Sequence, residues 1–332
     1  MTTLTVTLVN LAGLESGASL NGQSHALLTQ IAALAAAVPA SDLTVARRRS
    51  LMHEAQALLL SSDAEPPVAC AAITMDLPSR SLSARLYTPE SVSSDALMVF
   101  FHGGGWVTGD LDTHHPSLQF LAQHLGCKLL SVQYRKAPEH VFPAACDDAE
   151  DALLWAHARL AELGCKRLVV GGDSAGGHLA AVAMHTHVAL KIAGALLFYP
   201  VTDMQLTNRS YSERGSGPGL TRDGMVWFWQ QFLNPAQAAS HLRASNDPRI
   251  VPMQQSWAQS PPPAVILAAW HDPLYDEAVT YAKHLQQAGG KVVMQSAPDM
   301  AHGFLRQARA VPAAQAHVLA AVHAFRALLD TQ

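Results

Sequence analysis

A serine with glycines two positions away on either side, Gly172-Asp173-Ser174-Ala175-Gly176, follows the apolar run Leu168-Val169-Val170 and precedes the helix-forming run His178-Leu179-Ala180-Ala181. A chain that reverses sharply between strand and helix holds its middle residue in a backbone region that only small neighbours tolerate. Ser174 is thereby lifted into the open as a nucleophile for acyl transfer, and the helix beginning just after it aims orphan backbone amides at the same point. A serine hydroxyl needs a base to take its proton and an acid to fix that base's tautomer. Asp272, just past the apolar run Ala264–Trp270, and His302, within Met300-Ala301-His302-Gly303-Phe304, both fall at strand-to-loop junctions downstream of Ser174 and supply the pair in the chain order Ser, Asp, His. Asp276 and Glu277 are weaker candidates for the acid, because they sit in the first turn of an expected helix and complement its dipole. Among the 17 histidines, His302 stands apart by its location: His271 adjoins the acid, and His284 faces along a helix.

Three glycines in succession, His102-Gly103-Gly104-Gly105-Trp106, follow the run Leu97–Phe101. Such a run is entropically costly and makes sense where a backbone must approach a reacting atom and point amides at it. The expected oxyanion donors are the amides of Gly103, Gly104 and Ala175. Neither glycine cluster continues into Gly-Lys-Ser/Thr, which argues against a phosphate cradle. His114-His115 and His185-x-His187 have no companion at ligand spacing and no His-Glu-x-x-His is present, so no metal site is expected.

From about residue 68, strand-length apolar runs alternate with helix-length segments, the pattern of a mostly parallel sheet flanked by helices, hence an α/β fold. Val68–Met75 and Leu82–Thr88 read as an opening hairpin. Ala96–His102, Lys128–Tyr134, Arg167–Gly172, Gly194–Pro200, Ala264–Trp270 and Lys291–Ala297 bring the expected strands to eight. Helices are expected at Ala144–Leu163, Ala175–Ala189, Asp276–Ala288 and Ala313–Leu329. Two stretches break the alternation: a helical N-terminal part, 1–62, and an insertion, 203–257. Together they are expected to cap a core made of 63–202 and 258–332. The insertion holds an aromatic helix, Thr221–Leu233; Trp227 and Phe228 within it, with Trp106, are the candidates for lining a substrate pocket.

A chain of 332 residues buries roughly 75% of its extended surface and needs no covalent staple. A net charge of -4 carries no electrostatic footprint for nucleic acid or an anionic membrane, and the run Arg47-Arg48-Arg49 reads as a solvated helix face. The four cysteines form no CxxC pair and read as free thiols. The first residues lack a secretory pattern and no run is long enough to span a bilayer, so a cytoplasmic protein is expected. Its partner is then a small-molecule ester; a homodimer is compatible with the sequence.

Taken together, these motifs resemble those of the bacterial hormone-sensitive-lipase-like esterases. The similarity covers about residue 68 to the end and rests on five ordered matches: His102–Trp106, Tyr134-Arg135-Lys136-Ala137-Pro138-Glu139, Gly172–Gly177, Asp272-Pro273-Leu274-Tyr275-Asp276-Glu277 and His302-Gly303-Phe304. The resemblance implies the α/β-hydrolase fold with an eight-stranded sheet, a helical cap built from the N-terminus and an insertion after the sixth strand, no cofactor, and a preference for short acyl chains. Lys136 and Tyr275 depart from the commonest pattern, where leucine and arginine are frequent; neither position is catalytic in the family. Two other readings share the scaffold: a small-molecule receptor, disfavoured because the triad is complete, and an amidase or carbamate hydrolase using the same triad.

Overall fold

The computed structural model describes residues 17–60, 68–234 and 247–331. Its eight strands are β1 (Ala69–Leu77), β2 (Arg80–Thr88), β3 (Ala96–Phe101), β4 (Lys128–Val132), β5 (Arg167–Asp173), β6 (Gly194–Phe198), β7 (Ala264–His271) and β8 (Val292–Ala301). They form one sheet in the order β1-β2-β4-β3-β5-β6-β7-β8. The hairpin β1–β2 is antiparallel, as is β2 against β4, and all remaining pairings are parallel. Burial explains the sequence pattern. All of β3 and β6 is buried, as parallel strands covered on both faces must be, whereas β1 at the edge is largely exposed.

Alternate residues of β3 feed two apolar layers: Val99 and Phe101 point into one, Met98 and Phe100 into the other. The first layer is closed by α4 (Ala144–Ala158), α5 (Ala175–Thr186) and α8 (Tyr275–Gln287), through side chains such as Leu153, Leu179 and Tyr281. The second is closed by α3 (His115–Leu125) and α9 (Pro312–Asp330), through Leu121, Val318 and Phe325. Each such side chain, fully buried, contributes roughly 1.5–3 kcal/mol. Proline at the first turn of α9 sets its start, and Val318, Ala321, Val322 and Phe325 recur at the helical period on its buried face. Helix α3, which the sequence reading did not single out, stops at Gly126 in the left-handed conformation (φ 64°).

Among the described residues four further helices lie outside this sandwich: α1 (Gly22–Ala36), α2 (Val45–Leu58), α6 (Arg209–Arg214) and α7 (Arg222–Leu233). Thr221 accepts the Gly224 amide at 3.0 Å and so caps α7. Of the expected cap segments, residues 1–16, 61–62 and 235–246 lie outside the described residues. Among the described residues no helix is long and apolar enough to cross a membrane.

Two details of the frame bear on the site. Asp148, fully buried on α4, accepts from the Arg80 Nε at 2.6 Å, the Arg135 Nη2 at 2.8 Å and the Arg135 amide at 2.7 Å, tying β2 and the segment after β4 to α4. The pairing of β7 with β8 slips between Ala269 and His271, a bulge just before Asp272. Strand β8 runs on to Ala301, four residues past its expected end, and delivers His302 directly.

Candidate active site

The turn from β5 into α5 holds Ser174 at φ 56°, ψ -121°, a strained conformation fixed by the Ser174 amide donating to Phe198 O at 2.9 Å. Glycine on both flanks is a matter of space. A Cβ on Gly172 would lie 2.2 Å from Gly176 O, and one on Gly176 would lie 1.9 Å from Phe101 O.

Ser174, at the end of β5, meets His302 from the end of β8 and Asp272 from the end of β7. His302 Nε2 is 2.8 Å from Ser174 Oγ, and its Nδ1 is 2.6 Å from Asp272 Oδ2. Asp272 has no solvent exposure, so its carboxylate is desolvated and directed at the imidazole; its Oδ1 accepts the Leu274 amide at 2.9 Å. With Nδ1–H donated to that carboxylate, Nε2 is left to accept from the serine hydroxyl. The Tyr199 ring lies against the imidazole at a centroid distance of 4.7 Å, and its hydroxyl accepts the Leu305 amide at 3.1 Å, holding the loop that carries His302.

The glycine loop corrects one expectation. Gly103 does not offer its amide to the site: the N–H donates to Asp173 Oδ1 at 2.8 Å, and a Cβ there would lie 2.5 Å from Asp173 Oδ2. Gly104 and Gly105 line the cavity beside Ser174 instead, both at positive φ (115° and 60°). Among the described residues the amides of Gly104, Gly105 and Ala175 have no protein acceptor, which leaves them, one glycine along from the expected set, as the candidate donors to a developing oxyanion. Burial alone would push the Asp173 carboxyl up, but His114, whose Nε2 lies 3.4 Å away, the Gly103 amide and His102 outweigh it and hold it below its ordinary value. His102, stacked on Tyr134, is driven down to about 3 by burial and then by His114, and stays neutral.

A cavity of about 330 Å³ opens at Ser174 and His302, walled by Leu28 and Ile31 of α1, Met52 of α2, and Met225 and Phe228 of α7. Phe228 is thus placed as the sequence suggested, but Trp106 and Trp227 are not. Trp106 is fully buried, donates its Nε1–H to His178 Nδ1 at 3.2 Å and stacks on Phe232 at 4.4 Å, which makes it part of the core beneath α7. Trp227 lies about 100° around the helix from Phe228 and sits instead under the Arg48 guanidinium, 4.4 Å from the ring centre. Residues that the sequence reading passed over, Leu28, Ile31, Met52 and Arg306 among them, reach the cavity from distant segments; no local signal marks them. Lys136 donates to Gly109 O at 2.7 Å and Tyr275 packs on Trp270, so neither unusual residue enters the cavity. Among the described residues no group of three or more His, Cys, Asp or Glu is placed to hold a metal ion.

Comparison with known proteins gives a consistent picture. Residues 98–306 match a family model described as an alpha/beta hydrolase fold. The chain is 34% identical to the ethyl acetate hydrolase of Pseudomonas putida over 299 residues, 87% of this chain and 92% of that one. It is 36% identical to the carboxylesterase NlhH of Mycobacterium tuberculosis over 241 residues, 70% and 74% of the two chains. The structure of the hyperthermophilic esterase from the archaeon Pyrobaculum calidifontis superposes with a TM-score of 0.82 at 28% identity, covering 94% of this chain and 99% of that one.

Proposed function

Since this chain belongs to the α/β-hydrolase fold family, we propose that it is a carboxylic ester hydrolase acting on short-chain acyl esters through Ser174, His302 and Asp272. The observation that carries this reading is the unbroken relay from Ser174 Oγ through His302 Nε2 (2.8 Å) and Nδ1 to Asp272 Oδ2 (2.6 Å). Ser174 Oγ attacks the ester carbonyl as its proton passes to His302 Nε2, and the imidazolium is stabilised by Asp272. Negative charge gathering on the carbonyl oxygen meets the amides of Gly104, Gly105 and Ala175, which cost no reorganisation because the loop and the helix start already hold them. His302 then returns its proton to the leaving alcohol, and the acyl group stays on Ser174. A water, deprotonated by the same imidazole, releases the acid and restores the hydroxyl.

Short acyl groups suit a cavity of about 330 Å³ with an apolar wall. The similarity to a protein named for ethyl acetate hydrolysis supports the same substrate class. Helices α1, α2 and α7 act in this reading as a cap over the serine. A cytoplasmic location is part of the proposal, supported by four cysteines that form no disulfide. Ser174→Ala is expected to lower the turnover of p-nitrophenyl butyrate by roughly 10⁶-fold and to abolish labelling by a fluorophosphonate. Undiminished hydrolysis by that variant would refute the proposal.

A further inference from the structure

The short helical turn Phe304–Gln307 that follows His302 carries an arginine, Arg306, which lines the cavity beside the nucleophile. Its Nε donates to Thr113 O at 3.3 Å, and its Nη2 donates to Met52 O at 3.4 Å and Gln56 Oε1 at 2.9 Å. All three acceptors are neutral. Other arginines of this chain are neutralised directly, Arg135 by Asp148 at 2.8 Å and Arg167 by Asp95 at 2.6 Å, but Arg306 makes no ion pair among the described residues. Its Nη1 has no protein acceptor among them either, although it belongs to a group that stays protonated at any working pH. Among the described residues Asp173 is the one acid lining the cavity; its Oδ1 is already taken by the Gly103 amide and faces His114, and it acts on Arg306, as Asp110 does, only through space without an ion pair.

A guanidinium fixed on two edges by neutral carbonyls, with a third edge open to a largely apolar pocket, is a fixed positive charge awaiting an anion. We infer that Arg306 selects esters carrying a carboxylate a few bonds from the scissile carbonyl, a refinement that rests on the esterase reading above. The open Nη1 edge would donate to that carboxylate while the scissile carbonyl sits over Ser174. Thr113, Met52 and Gln56 hold the charge in place, so little side-chain freedom is lost when substrate binds.

Two pairs of substrates test this, each pair differing only by a carboxylate replaced by an isopropyl group of similar shape. Monoethyl succinate against ethyl isocaproate places the charge on the acyl arm, and β-acetoxypropionate against isoamyl acetate places it on the alcohol arm. In one pair, Arg306→Met is expected to lower the ratio of kcat/KM for the carboxylate ester to that for its neutral twin by about 10- to 100-fold, the range of a charge-assisted hydrogen bond. Arg306→Lys, which keeps the charge, is expected to retain most of the preference. A ratio unmoved by Arg306→Met in both pairs overturns the inference, because a purely structural role for Arg306 would lower both members equally. Should Arg306→Met fail to fold, the unsubstituted enzyme decides: preference for the isopropyl twin in both pairs overturns the inference, and preference for the carboxylate in either supports it. Neutral esters hydrolysed by the unsubstituted chain and not by Ser174→Ala keep the esterase reading intact in every one of these cases.

Discussion

Gly176→Ala puts the oxyanion geometry under the most direct strain the structure offers. The new methyl would lie 1.9 Å from Phe101 O, 2.5 Å from Phe101 C and 2.7 Å from His102 O, all backbone atoms or carbonyls at the end of β3, and none of them can rotate away. Relief requires α5 and the end of β3 to part by about 1.5 Å to restore ordinary contact. The residues displaced, Phe101 and His102, lead through Gly103 into Gly104 and Gly105 on one side, and Gly176 directly follows Ala175 on the other, so the donors move relative to one another and to Ser174. A misplacement of about 1 Å can cost on the order of 10²-fold in rate, equivalent to about 2.7 kcal/mol of transition-state stabilisation. Overpacking adds a loss of about 1–3 kcal/mol in stability. Turnover of p-nitrophenyl butyrate and the urea midpoint, measured on the same preparation, read the two effects separately. Gly22→Ala is the control: a Cβ there meets nothing within 4 Å, and the variant should keep both quantities. A Gly176→Ala enzyme with the parent's kcat and urea midpoint would show that the close approach of helix and strand does not set the donors.

Other outcomes follow from the same geometry. Asp272→Asn keeps the shape of the relay but favours the wrong imidazole tautomer, and kcat should fall by about 10⁴-fold with little change in stability. Asp148→Asn removes the buried counter-charge of Arg135 and one of the two carboxylates of Arg80, which keeps Asp151 at 2.6 Å, and urea denaturation should report a loss of about 1.5–3 kcal/mol. His102 and His178 are both pushed down by burial, to about 3 and about 4 from 6.5, so the unfolded chain binds their protons first as pH falls. Their contribution is complete above pH 6.5 and is lost as pH falls from there to about 4 for His178 and about 3 for His102, by on the order of 1 kcal/mol per pH unit for each histidine. Urea midpoints measured across that window should fall steeply, and His178→Gln should flatten the slope; an unchanged slope would show that His178 does not titrate on unfolding.

What the sequence made legible was local. Strands β3 to β8 were readable because buried parallel strands leave apolar runs, β1 and β2 because they read as a hairpin, and Ser174, Asp272 and His302 because each follows a strand. The donor assignment went astray by one glycine, since three identical residues in succession give no hint of which amide is drawn away; only the reach of the Asp173 carboxylate to Gly103 decides it. The pocket wall was legible in one aromatic of three. Helix α7 places Met225, Trp229 and Phe232 on its core face, and that face packs on Trp106, which comes from far away in the chain. Leu28, Met52 and Arg306 belong to the cavity through packing between segments hundreds of residues apart, which no local periodicity encodes.

The slip between Ala269 and His271 makes the outermost strand a ruler. On β8 that slip falls between Ala297 and Ala301, so the strand counts out the distance to the imidazole in steps of about 3.3 Å through the bulge, and one residue added or removed there would turn His302 to the opposite side of the sheet. The span of β8 therefore tolerates no change of length, and insertions and deletions that preserve activity should avoid it.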